Sequence, residues 1–228
     1  MSIYVLGEAM ESGDMLKTSI YLENMEYIHR RYAELGFRNI LEFAVVKCDP
    51  CITSLVLQKY TNVDTQDVTG YTPLHWACHS PNAMEHMKLL LEHGANPNLG
   101  SLYGDKPLHI CMKYGSMPCA YLLIDQGADP NTRTERGDGV LHIACKRGDH
   151  TYTKKFLEKG LPVDARNSSG HTALHVSCMG GHIECVKLLL EFGSDMHIET
   201  NYGDYALLLA EEYEHPEIVS MLHAHARP

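Results

Sequence analysis

A fixed spacing constrains this chain more than any other feature. Gly104, Gly137, Gly170 and Gly203 stand 33 residues apart, and the steps Gly36 to Gly70 and Gly70 to Gly104 are 34. A leucine–histidine pair follows at Leu74-His75, Leu108-His109, Leu141-His142 and Leu174-His175. A second glycine series closes the unit at Gly94, Gly127, Gly160 and Gly193. Anchors that recur in phase mean one supersecondary unit stacked many times. Each unit then buries its apolar face only against its neighbours, and no unit is stable alone.

Residues 167–197 show the unit most fully. Gly170 opens a turn, and Thr172-Ala173-Leu174-His175 starts a short helix that runs to Met179. Gly180-Gly181 breaks it. A second helix, Ile183 to Phe192, carries Ile183, Val186, Leu188, Leu189 and Leu190 at helical spacing. Gly193 ends that helix, as glycine commonly does. In residues 67–98 the frame reads Gly70-Tyr71-Thr72-Pro73-Leu74-His75-Trp76-Ala77, then Leu90-Leu91-Glu92-His93-Gly94-Ala95-Asn96-Pro97-Asn98.

These motifs resemble the ankyrin repeat family across residues 36–225. The resemblance implies an all-α solenoid of stacked helix-turn-helix units with protruding finger loops. It implies about six repeats, with atypical first and last units. It places the first helices on a concave face and the second helices on a convex back, in a slightly curved stack. The repeats expected are 36–66, 67–98, 99–131, 132–164, 165–197 and 198–228.

Residues 1–35 precede the repeats and predict a capping helix. Met15, Ile20, Ile28, Tyr32 and Leu35 form a rough apolar stripe from about Asp14 to Glu34, with Asp14 as its cap. In the fourth repeat Gly139-Val140 replaces Thr-Pro, so its first helix should start less firmly. In the last, Leu208 stands where histidine belongs, and Glu211, Glu212 and Glu214 make the turn polar, as a terminal cap requires.

Nineteen Lys and Arg face 29 Asp and Glu, a net charge of −10. Such a chain repels phosphate backbones, so nucleic acid is not the expected partner. No apolar run is long enough to span a membrane. The start, MSIYVLGEAMESGD, has no basic segment followed by an apolar core. Eight cysteines, several replacing alanine of the pattern, suit a reduced cytosolic or nuclear setting.

No metal, cofactor or catalytic constellation is expected. The histidine ladder is too widely spaced: packed helices lie about 8–10 Å apart, and two ligands of one zinc each lie about 2 Å from it. The family resemblance gives these histidines a structural bond across adjacent turns. Cys78, Cys145 and Cys178 each follow such a histidine by three residues and read as small core residues. Cys48-Asp49-Pro50-Cys51 matches C-x-x-C, but between two short helices rather than in the β-α-β setting of a redox motif. Trp76 reads as core. The resemblance allows hydroxylation of Asn98 and Asn131, whose default role is tying the finger backbone. H-E-x-x-H, G-x-S-x-G and G-x-x-x-x-G-K-[ST] are absent.

What remains is surface. The resemblance assigns partner contacts to finger tips and to the ends of first helices. Those positions include Tyr71, His79, Leu102, Tyr103, Lys113, Tyr114, Arg136, Lys146, Arg147 and Met179, with Asp138 among the finger residues. Lys113, Lys146, Arg147 and Arg136 form a basic patch on an acidic chain. Tyr71, Leu102, Tyr103 and Tyr114 add an apolar surface with polar tips, of the kind that anchors interfaces. The expectation is a non-catalytic adaptor, scaffold or stoichiometric inhibitor, monomeric when free. Its groove, in repeats two to four, receives a protein segment bearing acidic and apolar residues. The alternative is a targeting module of a larger enzyme or ubiquitin-ligase complex.

Overall fold

The computed structural model describes residues 3–22, 40–114 and 116–226. Among these residues there are fourteen helices and no strand, the all-α repeat architecture the resemblance implies. Two compact units divide the chain, Met1–Cys111 with Asp125–Ala128 and Met112–Ile124 with Asp129–Pro228.

The first unit begins with α1 (Ile3–Glu11) and α2 (Met15–Tyr21), followed by α3 (Ile40–Lys47), α4 (Pro50–Lys59), α5 (Pro73–Ala77) and α6 (Ala83–Glu92). Helix α3 packs on α5 and α4 on α6, so first helices meet first helices and second helices meet second helices. Helix α7 (Pro107–Tyr114) contributes its opening turn here.

The second unit holds α8 (Met117–Asp125) up to Ile124, then α9 (Val140–Lys146), α10 (His150–Glu158), α11 (Ala173–Met179), α12 (Ile183–Glu191), α13 (Ala206–Glu212) and α14 (Pro216–His225). Helices α9, α11 and α13 stack in one layer, and α10, α12 and α14 in another. Ala144, Cys145, Phe156, Leu174, Cys178, Val186, Leu189, Ala210 and Ile218 are fully buried between them. The small residues let neighbouring first helices approach closely.

The N-terminal reading needs correction. Asp14 does cap a helix, its carboxylate accepting from Lys17 N at 3.0 Å. That helix, α2, ends at Tyr21 with Leu22 as its C-cap, rather than continuing to Glu34. Met15 is 44% exposed, so it does not open an inner stripe. Residues 23–34 of the expected helix lie outside the described residues. Helix α1 was not expected, although Leu6, Ala9 and Met10, at i, i+3 and i+4, are all buried. Gly13, with φ of +72°, turns the chain between the two helices.

The fingers are built by one recurring hydrogen-bond pattern. Asp67, Ser101, Asn167 and Thr200 each accept, through a side-chain oxygen, from backbone N–H groups two and four residues on. Thr134 does so toward Asp138 N. The side chains thereby take over turn donors that the backbone leaves unpaired. Neighbouring fingers are tied by Leu102 N to Thr69 O (2.9 Å), Ser168 N to Arg136 O (3.1 Å) and Asn201 N to Ser169 O (3.0 Å).

His75 and His142 make the bond across adjacent turns expected of the ladder, whereas the Nε2 of His175 meets no hydrogen-bond partner among the described residues. His75 Nδ1 accepts from Thr72 N at 3.1 Å, which leaves the proton on Nε2 for donation to Asp105 O at 2.9 Å. His142 repeats this between Gly139 N (3.3 Å) and His171 O (3.0 Å). His175 accepts from Thr172 N, and His109 from Lys106 N. The fourth repeat lacks the threonine hydroxyl that also meets Nδ1 in the second and fifth, as Gly139 implies.

A second ladder escaped the sequence reading. His182 Nε2 donates to Lys146 O and His215 Nε2 to Met179 O, each tying the start of a second helix to the preceding repeat. The 33-residue step between the two was its signal.

These histidines set a pH dependence. Burial is the largest influence on His75, His86, His142, His171 and His175, and it pulls each below the ordinary value of 6.5. A base depressed in the folded state favours folding while neutral. Its contribution is complete above 6.5 and is lost as pH falls through the folded value. The melting temperature should therefore fall steadily from pH 7 to pH 5, before the carboxylates titrate. A flat profile over that interval contradicts this.

Candidate protein-binding groove

The second unit carries an open groove of about 650 Å³ between fingers 134–138 and 167–171 and the ends of α9 and α11. Its walls include Arg136 and Lys146, both exposed, and the half-buried His171, Val176 and Met179. Tyr213, 46% exposed, closes one side from the end of α13.

Sequence determines this arrangement locally. Gly180-Gly181 ends α11 directly after Met179, so the thioether is left at the helix end. Lys146 is the last residue of α9, and Arg147 caps it. The bond from Ser168 N to Arg136 O sets the spacing of the two fingers. His142, beneath them, donates to His171 O and anchors the groove wall to α9.

Asp138 is not the surface residue expected of a finger. It is only 8% exposed, and its carboxylate accepts from Asn167 Nδ2 at 2.8 Å. One of its oxygens is therefore committed to the finger bridge. Arg136 and Lys146 are in no ion pair among the described residues. The groove offers two cations beside the half-buried Val176 and Met179.

Of the predicted surface residues, Arg136, Lys146 and Met179 meet at this groove. Lys113, Tyr114 and Arg147 are exposed in the same unit but do not line it. Lys113 Nζ lies 5.9 Å from the centre of the Tyr114 ring. Tyr71, His79, Leu102 and Tyr103 belong to the first unit, where Leu102 is 75% and Tyr103 78% exposed. This groove sits on repeats four to six, whereas the sequence reading looked to repeats two to four. His171, on a finger, and Tyr213, at the end of a first helix, fall at positions of the kind the resemblance assigns to contacts, whereas Asn167 and Val176 were not singled out.

The remaining chemistry reads as packing. Burial first, then the charges of Glu11 and Asp49, pushes the Cys48 thiol up to about 12. Cys51 is also raised, by hydrogen bonding to Asp49. A redox C-x-x-C needs the opposite, a thiol made acidic. Burial pushes Cys178 up to about 12 as well. Among the described residues no cluster of three or more His, Cys, Asp or Glu is placed to hold a metal. No described helix is long and apolar enough to cross a membrane. Asn98 Nδ2 donates to Gly127 O at 2.9 Å, tying one repeat to the next.

A family model of ankyrin repeats (three copies) matches residues 41–134 and 136–227. The chain belongs to the ankyrin repeat family. Ankyrin repeats are a protein–protein interaction module. Among curated proteins, the chain is 32% identical over 85 residues to human "SH3 and multiple ankyrin repeat domains protein 2", covering 37% of this chain and 4% of that protein. It is 32% identical over 84 residues to human "BCL-6 corepressor-like protein 1", again 37% of this chain and 4% of that protein. The match thus spans a small part of each relative's length.

Proposed function

We propose that this ankyrin array is a non-catalytic adaptor, scaffold or stoichiometric inhibitor that holds a protein segment in the groove of its second unit. The observation that carries this reading is the pairing of Arg136 and Lys146 beside Val176 and Met179, with the buried Asp138 carboxylate turned to the Asn167 amide of the next finger. That lining fits a segment whose carboxylates meet the two cations and whose apolar side chains cover Val176 and Met179. Fingers and helix ends are fixed by backbone bonds before any partner arrives, so little ordering entropy is lost on association. Cytosol or nucleus is the proposed setting, in keeping with eight free cysteines, all but Cys51 buried.

A second reading, a targeting module of a larger assembly, is favoured by the relatives, in which the matching repeats make up 4% of the length. The groove would serve the same purpose there.

Hydroxyl-radical footprinting tests the site. Peptides selected from a displayed random library on the full chain should protect Met179 and Tyr213 from oxidation. Tyr202, 76% exposed on the next finger, should remain reactive. Protection of Tyr121 and Tyr152 on the second-helix layer instead would place binding on the opposite side and remove the groove from the account.

A further inference from the structure

The first unit carries a second surface, built from two departures from the repeat pattern. Trp76 is the only tryptophan of the chain. Contrary to expectation it is half-buried rather than core, because its ring turns toward the fingers. The indole N–H donates to Asp67 Oδ2 at 3.0 Å. Tyr71 meets the indole edge-on, with ring centres 5.6 Å apart, and stacks on His75 at 4.9 Å. His79, exposed, has its ring centre 6.2 Å from that of the indole, tilted at 49°.

Asp67 is the second departure. At the equivalent finger position the other repeats use Ser101, Thr134, Asn167 and Thr200, all neutral. One neutral oxygen therefore suffices for the loop. Asp67 Oδ1 fills that role, accepting from Thr69 N, Thr69 Oγ1 and Tyr71 N. The negative charge and the second oxygen are surplus to the turn, and the second oxygen orients Trp76. Burial works against ionisation of Asp67, but the bonds from Thr69, Tyr71 and Trp76 outweigh it and hold the carboxyl below its usual range. Between residues 60 and 80 the charged residues are Asp64 and Asp67, with no lysine or arginine. The next finger adds one of each sign, Asp105 and Lys106.

We infer that the Tyr71–Trp76–His79 face, with the carboxylate of Asp67 behind it, receives a cationic side chain of a partner protein, a lysine ammonium or an arginine guanidinium. Aromatic faces attract cations through their quadrupole, and a fixed negative charge behind the rings adds to that attraction. The rings are held by stacking and by a hydrogen bond, so the face is organised before binding. This surface is distinct from the groove and prefers the opposite charge.

Trp76 is its own reporter. Acetyl-Gly-Xaa-Gly-amide peptides, with Xaa lysine, arginine or the neutral norleucine, are titrated against the full chain while indole emission is followed. Lysine or arginine peptides should change the emission saturably at tens of millimolar, about tenfold tighter than norleucine. The effect should weaken with added salt. Asp67→Asn keeps one oxygen for the loop but puts an N–H2 donor opposite the indole N–H, so it removes both the charge and the bond that orients Trp76, and it should weaken the cationic peptides about fivefold or more, and by more than norleucine. A melting curve checks that the variant is folded. If norleucine binds as well as the cations, the surface is a plain apolar contact and the inference fails. It also fails if neither cation alters the emission, or if folded Asp67→Asn binds as the parent does.

Discussion

Gly170→Ala should destabilise the protein by about 2–4 kcal/mol, whereas Gly160→Ala should cost only about 1–2 kcal/mol. Both glycines sit at nearly the same left-handed φ, +79° and +80°. An alanine is strained there to the same degree in each case. The difference lies in what the new methyl meets. At Gly160 nothing lies within 4 Å. At Gly170 it would sit 2.7 Å from Asn201 N, whose N–H donates to Ser169 O. That contact is backbone, and moving it breaks the bond that joins two fingers. Urea unfolding of the two variants measures the comparison. Equal losses would mean that the fingers are not closely tied, and the rigidity argued for the groove would lose its basis.

His142→Leu should be comparably damaging, at about 2–4 kcal/mol. The ring bridges Gly139 N and His171 O, at 3.3 and 3.0 Å, and is 2% exposed. Leucine has similar bulk but no polar atoms, so a buried donor and a carbonyl lose their partner together. The protein contains its own control. Leu208 occupies the histidine position of the last repeat, where it is 47% exposed. No described residue follows with a finger for a histidine to tie there. Leu208→His should therefore be close to neutral in the same unfolding assay. A His142→Leu variant as stable as the parent would contradict the bridging role.

The repeat frame was legible because it is local and periodic. Gly70, Gly137 and Gly170 mark positions where the left-handed turn and the adjacent finger leave no room for a side chain, and the histidines mark bonds that recur with them. Trp76 was misplaced because the pattern at that position normally means burial. Its orientation depends on Asp67, nine residues earlier, and periodicity says nothing of that pair. Asp138 was misread for a related reason: a finger carboxylate is ordinarily solvated, but Asn167 of the following repeat holds this one. Helix α1 lies outside the repeat frame, so only its short stripe of Leu6, Ala9 and Met10 announced it. The position of the groove was the least legible feature. Its wall combines Arg136, Lys146, Met179 and Tyr213 from three repeats, and which fingers leave an open space depends on side-chain volumes rather than on register.

The groove in the second unit is the centre of this account, and reversing its charge tests it most directly. Arg136→Glu with Lys146→Glu alters two exposed residues and should leave the melting temperature within a few degrees of the parent. Library-selected peptides titrated by fluorescence anisotropy at physiological salt should then bind at least about tenfold more weakly, since each lost cation leaves a carboxylate facing a like charge. An unchanged dissociation constant in the folded double variant would contradict the account.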